Sequence, residues 1–252
     1  MPFGYVPHYN LWKDIFTRVF GYPNMVRRIQ APLLMKMLAP RHDEIILDVG
    51  CGNGFFTFEI AARCRRCIGI DLNLGQRLLK SVKQRSTAGY LKGNVETMPL
   101  ASAAFDKLLL SSVLQMVKHD RELLSECHRV LKENGTLVLS VPLEYIHIKS
   151  LNSHKSRLAK MFGALGKGYY STDEVLELLT GTGFEVIRTE YSPKWWGSLI
   201  FETGLYLNQR FGFPFLSPLL FPVLYPVAWF DRFAGRNGKG NEFIIEARKV
   251  AG

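Results

Sequence analysis

Asp48, Gly50, Gly52 and Gly54 lie together where the apolar run of EIILDVGCGNG (44–54) hands over to FFTFEIAARC (55–64), whose apolar residues fall at helical spacing. A strand that turns on glycines into a helix lets the backbone approach a ligand closely and offers it the helix's unpaired N–H groups. A second carboxylate, Asp71, closes the next apolar run, CIGIDL (67–72). There a carboxylate can accept both hydroxyls of a ribose, and open α/β sheets bind such ligands past the carboxyl ends of their strands. A dinucleotide site shares these glycines and the second-strand acid. Here, however, the spacing is GxGxG rather than GxGxxG, so Phe55 and Phe56 crowd the place where a third glycine would admit a pyrophosphate. Asp48, directly before the turn, would repel a pyrophosphate but can orient a ligand that carries a positive charge.

The other reactive side chains are scattered. Cys64 and Cys67 form a lone CxxC around Arg65 and Arg66. Flanking arginines favour thiolate, but a structural zinc needs four ligands and no second pair follows, so no metal is expected. The plainer account is a helix end and a strand start. With Cys51 and Cys127 the cysteines do not make a disulfide framework, which points to a reducing cytosol.

These residues need a frame. NLGQRLLKSVKQRS (73–86) reads as a helix and residues 89–92 as a short strand. AFDKLLLSSVL (104–114) is a fourth strand, DRELLSECHRVLKENG (120–135) a helix ended by Gly135, and TLVLSVP (136–142) a fifth strand. STDEVLELLTGTGFEVIRTEY (171–191) adds a helix, opened by Ser171 or Thr172 with Glu174, and a further strand. NEFIIEARKV (241–250) is the last strand, and residues 1–40 read as helical, broken at GYPN (21–24) and ended by Pro40. Alternating strands and helices imply a parallel sheet covered on both faces.

In this order the segments resemble the class I S-adenosylmethionine-dependent methyltransferases, in the small-molecule branch. ILDVGCGNG looks like the family's first motif, IGID its second-strand acid, and GNVETMPLASAAFD its third-strand loop. LLLSSVLQMVKH, ECHRVLKENGTLVLSVP and YYSTDEVLELLTGTGFEV resemble the later units. The resemblance implies a single α/β domain over 1–252: a Rossmann-like, doubly wound, seven-stranded, mostly parallel sheet with the last strand antiparallel. To it are added an N-terminal helical cap (1–40), an acceptor-site connection (144–170) and a hydrophobic insertion (192–240) before the last strand. It implies S-adenosylmethionine as methyl donor, S-adenosylhomocysteine as product, and no metal. The implied donor contacts are Asp48, Gly50, Cys51, Gly52 and Gly54 at the turn, Asp71 and Leu72 after the second strand, Asn94, Val95 and Glu96 in the third-strand loop, and Ser111 at the end of the fourth strand. Asp is commoner than Asn at position 94 in the family; an amide oxygen can still accept from the adenine amino group.

The donor is already activated, so a base is needed only if the acceptor must lose a proton. His119 is one candidate, with a solvated loop histidine as the alternative. His147 and Tyr169 are the preferred ones, because in this family the connection after the fifth strand lines the acceptor site. That connection also carries Lys149, Lys155, Arg157, Lys160 and Lys167 interleaved with apolar residues, which reads either as a membrane-seeking basic helix or as an ordinary surface helix.

The chain has 252 residues, 47% hydrophobic and 21% charged, with a net charge of +10, so an acidic partner is expected: nucleic acid, anionic lipid or an anionic ligand. The fourth-strand region disfavours nucleic acid: it has LSSVLQ in place of the Asn- or Asp-Pro-Pro-aromatic segment of amino-group methyltransferases acting on DNA bases, and no Pro-Cys nucleophile is present. No secretory signal is visible at the N-terminus. FPFLSPLLFPVLYPVAWF (213–230) lies in an uncharged stretch, 211–230, of membrane-spanning length, yet it has prolines at 214, 218, 222 and 226 and strands of one sheet on both sides. A single span would strand the last β-strand, so the segment is expected to be interfacial, a lid, or a contact between two copies. The reading is a cytoplasmic methyltransferase, peripheral to the inner face of a membrane, for an apolar acceptor such as a quinone, isoprenoid, sterol or lipid precursor. Its rivals are a methyltransferase for a polar small molecule with the insertion as a homodimer surface, a non-catalytic S-adenosylmethionine-binding module, and an RNA methyltransferase.

Overall fold

The computed structural model describes residues 25–74, 87–144, 147–154, 166–211, 231 and 240–250. The helix expected over 73–86 falls outside the described residues from 75 onward, as do residues 1–24 and the proline-rich run 213–230. The chain forms two compact units. One comprises Leu34–Leu143, Ala164–Glu190 and Glu242–Gly252; the other comprises Met1–Leu33, Glu144–Gly163 and Tyr191–Asn241.

The first unit is built on a seven-stranded sheet in the order β3-β2-β1-β4-β5-β7-β6. The strands are β1 (Ile45–Val49), β2 (Arg66–Asp71), β3 (Ala88–Lys92), β4 (Phe105–Ser111), β5 (Leu131–Pro142), β6 (Phe184–Tyr191) and β7 (Glu242–Lys249). β1 pairs in parallel with β2 and β4, β2 with β3, and β4 with β5, whereas β7 runs antiparallel to β5. This is the expected mostly parallel sheet with an antiparallel last strand. The strand order reverses at β1, which puts the switch point between β1 and β4. Ile46, Leu47, Leu108, Leu109, Leu137, Val138, Ile244 and Ile245 are fully buried. Such near-continuous apolar runs belong to strands covered on both faces, while β6, at the edge, is buried only at Phe184 and then alternates exposed with half-buried positions.

Helices are numbered among the described residues: α1 (Met25–Leu38), α2 (Phe55–Ala61), α3 (Asp120–Val130), α4 (Thr172–Thr180) and α5 (Trp195–Phe211). α3 is shorter than its apolar periodicity predicts. Leu131 pairs with Phe105 in the β4–β5 ladder, and Asn134 takes a left-handed φ of 59°, so β5 starts well before Thr136 and Gly135 is not a helix cap. α4 opens with Ser171 as N-cap: its side chain accepts from the Glu174 N–H while the Glu174 side chain accepts from the Ser171 N–H.

In the second unit, buried Glu202 of α5 accepts from the His147 N–H at 2.8 Å, the Ile148 N–H at 2.5 Å and Asn241 Nδ2 at 2.7 Å. Asp231 accepts from the backbone N–H groups of Lys194, Trp196 and Gly197, between 2.9 and 3.2 Å, and so occupies the start of α5 with a carboxylate. No helix among the described residues is long and apolar enough to cross a membrane.

Candidate functional site

The carboxyl ends of β1, β2 and β4 gather the glycine turn and both acids. β1 puts Asp48 opposite Gly69 of β2 and Leu109 of β4, and leaves it 2% exposed. Its Oδ2 accepts from Thr57 Oγ1 at 2.6 Å, so the first turn of α2 braces the carboxylate. Gly50, Gly52 and Gly54 all have left-handed φ, at 67°, 54° and 73°. Gly50 cannot be replaced for a second reason: a Cβ there would fall 2.5 Å from a methyl of Val113, which follows β4. Gly52 has nothing within 4 Å of where its Cβ would lie, so the turn borders open space.

Asp71 is fixed by the turn itself. Its Oδ2 accepts from the Gly52 N–H at 2.9 Å and its Oδ1 from the Asn73 N–H at 2.8 Å. Each oxygen keeps a further lone pair, so the residue can still accept two hydroxyls. The Gly50 and Cys51 N–H groups both donate to the Ile70 carbonyl, at 2.8 and 3.1 Å, which ties the turn to β2. Burial, followed by the Asp48 and Asp71 charges, pushes the Cys51 thiol well up, so Cys51 is a neutral spacer rather than a nucleophile. A buried carboxylate, a fixed one beside it and a glycine turn facing open space fit a ligand with a cationic end and a ribose. The residues present therefore fit S-adenosylmethionine.

The third-strand loop follows directly, since the Gly93 N–H donates to the Asp71 carbonyl at 3.0 Å. Asn94 Oδ1 accepts from the Glu96 N–H at 3.0 Å, Val95 is buried, and Glu96 Oε1 accepts from the Lys118 and His119 N–H groups. Glu96 thereby ties this loop to the start of α3, and Leu72 stands half-exposed at the end of β2. Ser111 is buried, 3.5 Å from Ser140 across the β4–β5 pair.

A family model described as "Methyltransferase domain" matches residues 47–139, the segment that carries the glycine turn, Asp48, Asp71, the third-strand loop and Ser111. Over this segment the chain is similar to the class I S-adenosylmethionine-dependent methyltransferases. Among its relatives, the malonyl-[acyl-carrier protein] O-methyltransferase of Serratia marcescens is 32% identical over 129 residues, 50% of this chain and 50% of that protein. A ubiquinone/menaquinone biosynthesis C-methyltransferase of Dinoroseobacter shibae is 28% identical over 121 residues, 45% of this chain and 48% of that protein. The chain thus spans about half the length of these curated relatives. Among solved structures, the geranyl diphosphate C-methyltransferase of Streptomyces coelicolor A3(2), bound to Mg2+, geranyl diphosphate and S-adenosyl-L-homocysteine, matches with TM-score 0.65 and 18% identity, covering 93% of this chain and 82% of that one. The [4+2]-cyclase SpnF matches with TM-score 0.62 and 19% identity, covering 97% of this chain and 94% of that one. At such identities the likeness is one of fold, and this methyltransferase fold also carries a cyclase.

The candidate bases, His119, His147 and Tyr169, lie in three different segments of the chain. His119 is exposed and serves as the residue before α3, where its carbonyl accepts from the Leu123 N–H at 3.1 Å. His147 belongs to the second unit. Its Nε2 donates to the Trp195 carbonyl at 2.9 Å and its ring meets the Trp195 ring edge-on at 4.7 Å. Tyr169 is half-exposed, whereas its neighbour Tyr170 is buried, with its hydroxyl 3.1 Å from Asp120 Oδ2 and 3.3 Å from the Leu114 carbonyl. Nothing in two adjacent tyrosines tells which one turns inward.

Three residues of the site escaped the sequence reading. Gly69 lets the turn lie against β2, since a Cβ there would be 2.8 Å from Cys51 Sγ and 2.9 Å from Thr57 Oγ1. Its only signal is a glycine inside a strand pattern. Ser112 turns the chain out of β4 at a left-handed φ of 53°, and its N–H donates to the Ser140 carbonyl at 3.0 Å. Thr57 holds Asp48, as above. In the CxxC, burial pushes the Cys64 thiol up to about 11 and the Cys67 thiol well above its usual value. No group of His, Cys, Asp and Glu suited to a metal occurs among the described residues.

Proposed function

We propose that the protein transfers a methyl group from S-adenosylmethionine to an apolar, lipid-like small molecule such as a quinone, isoprenoid, sterol or lipid precursor. The carrying observation is the Asp71 carboxylate, fixed by the Gly52 and Asn73 N–H groups beside an open glycine turn with buried Asp48 behind it. In this reading Asp71 takes the ribose hydroxyls, and Asp48 opposes the donor's positive end. Leu72, Asn94, Val95 and Glu96 bound the adenine, while Cys51, Gly54 and Ser111 shape the remaining wall. The donor brings an activated sulfonium; the chain orients it against the acceptor and keeps water out. Where the acceptor must lose a proton, His147, Tyr169 and His119 are the proposed groups. For His147, donation from Nε2 leaves the lone pair on Nδ1, the form a base requires.

The apolar acceptor is supported by the second unit, where Trp195, Trp196 and Tyr206 are 46%, 39% and 41% exposed on one helix. The test is release of S-adenosylhomocysteine from labelled donor when a total lipid extract is supplied. Turnover with the extract, abolished by Asp71→Ala, is expected. Binding of the donor with no turnover on lipid or polar extracts refutes the enzyme; turnover on polar extracts alone refutes the acceptor class.

A further inference from the structure

α5 departs from the usual surface helix. Among its described side chains, Trp195 to Leu207, those with appreciable exposure are Trp195, Trp196, Leu199, Thr203, Tyr206 and Leu207, with Phe201 outside their stripe. At about 100° per residue these six lie within an arc of about 120°. From Trp195 to Leu207 the outward face of the helix is therefore apolar and aromatic apart from Thr203 and carries no charged side chain, while Glu202 is fully buried. The stripe is also held firmly. Asp231 fixes the backbone N–H groups of Trp196 and Gly197, the two indoles meet edge-on at 4.6 Å, and His147 packs against Trp195. Exposed Lys149 follows His147 closely.

The charge of the chain is concentrated around this stripe's own unit. That unit holds 13 Lys and Arg against four Asp and Glu, a net of +9, whereas the sheet unit holds 19 against 18. Two of the four acids, Glu202 and Asp231, are engaged with backbone N–H groups inside the unit.

We propose that the outward face of α5 lies flat on an anionic lipid bilayer, with Trp195, Trp196 and Tyr206 seated among the headgroups. Trp and Tyr favour that boundary, and basic residues near it gain from anionic headgroups. A helix of 17 residues is about 25 Å long, short of the about 30 Å core, so it rests on the membrane rather than crossing it. A second copy of the chain is the poorer occupant. The stripe exposes on the order of 400 Å², about half of what each partner of a stable interface buries. The inference rests on the apolar-acceptor reading only for its purpose, which is to place the enzyme where such molecules reside.

The test is flotation of the full chain with vesicles of phosphatidylcholine, alone or mixed with phosphatidylglycerol. Binding to the mixed vesicles is expected, with a blue shift of tryptophan emission and weakening as salt rises. The pair Trp195→Ser and Trp196→Ser should weaken it by roughly tenfold or more. Lys149→Glu, which changes only exposed charge, should weaken it less. Both variants should keep their thermal shift with S-adenosylhomocysteine, which reports the donor site separately from the membrane. Three results overturn the proposal: wild type that stays soluble with both vesicles, serine variants that float unchanged, or a dimer that those substitutions dissolve. RNA binding in place of vesicle binding overturns it as well.

Discussion

Gly69→Ala is the sharpest test of how the glycine turn is held and of the donor site proposed there. β2 is locked on both sides at this point, with Gly69 opposite Asp48 of β1 and Tyr90 of β3, so the strand cannot slide to relieve a clash. The new methyl would meet Cys51 Sγ at 2.8 Å, Cys51 Cβ at 2.9 Å and Thr57 Oγ1 at 2.9 Å. Relief must come from the turn or from α2. Overpacking of this kind costs about 1–3 kcal/mol, a fall in melting temperature of about 2–12 °C for a domain of this size. Thr57 is also the donor to Asp48, and displacing it deprives a buried carboxylate of a hydrogen bond, worth about another 1–3 kcal/mol. Because the same turn carries the Gly52 N–H to Asp71, affinity for S-adenosylhomocysteine should fall by about tenfold. Gly89→Ala is the control: it is also in β2's neighbourhood, but its nearest atom is 3.8 Å away, so the change should stay within about 0.5 kcal/mol. Melting curves with and without S-adenosylhomocysteine, together with titration calorimetry, read both effects. Gly69→Ala melting with wild type at unchanged affinity, or Gly89→Ala doing equal damage, would refute the reasoning.

Asp71→Ala should weaken donor binding by about 10–100-fold in calorimetry, because it removes a charged acceptor and frees the Gly52 and Asn73 N–H groups. Glu202→Gln replaces one acceptor oxygen of a buried three-donor site with a donor. It should cost about 1.5–3 kcal/mol in urea unfolding and speed amide exchange at residues 147 and 148. The thiols give an alkaline signature. Cys64 rises from 9.0 to about 11 on folding, and Cys51, Cys67 and Cys127 are also raised by burial. A raised folded value means the unfolded chain loses its proton first, so stability is full below about 9 and declines as pH rises towards about 11. Melting temperature against pH should show that fall, and iodoacetamide should label the cysteines only in urea at neutral pH.

The parts legible in the sequence are those where one residue type answers one physical demand. The β1 turn needs left-handed backbone at positions 50, 52 and 54, and glycine meets that need, so the turn announced itself. The apolar runs of β1, β4, β5 and β7 had the length and continuity of covered strands, and the Ser171–Glu174 box opened its helix as read. Other features depend on contacts distant in the chain. Leu131 leaves its helical pattern because Phe105 pairs with it. Tyr170 rather than Tyr169 is buried because Leu114 and Asp120 lie within its reach. Ser112 is left-handed between β4 and Ser140, with no glycine to mark it. The role of Glu96 is local in kind but remote in place, since its partners begin another helix.

The net charge changes meaning once it is divided. Taken over the whole chain, +10 pointed to an acidic partner without choosing one. The sheet unit, which holds the glycine turn, is nearly balanced at 19 basic against 18 acidic residues, and the carboxylates at its strand ends suit a cationic ligand. Steering a polyanion to the reacting end of that sheet would call for basic residues there, as a nucleic-acid substrate demands along its backbone. The excess instead belongs to the unit of α5, where 13 basic residues accompany a stripe of Trp, Leu, Thr and Tyr between Trp195 and Leu207. Base stacking could use the indoles, but Leu199 and Leu207 of the same stripe have no counterpart in a nucleic acid, whereas a bilayer boundary accommodates aromatic and aliphatic side chains alike.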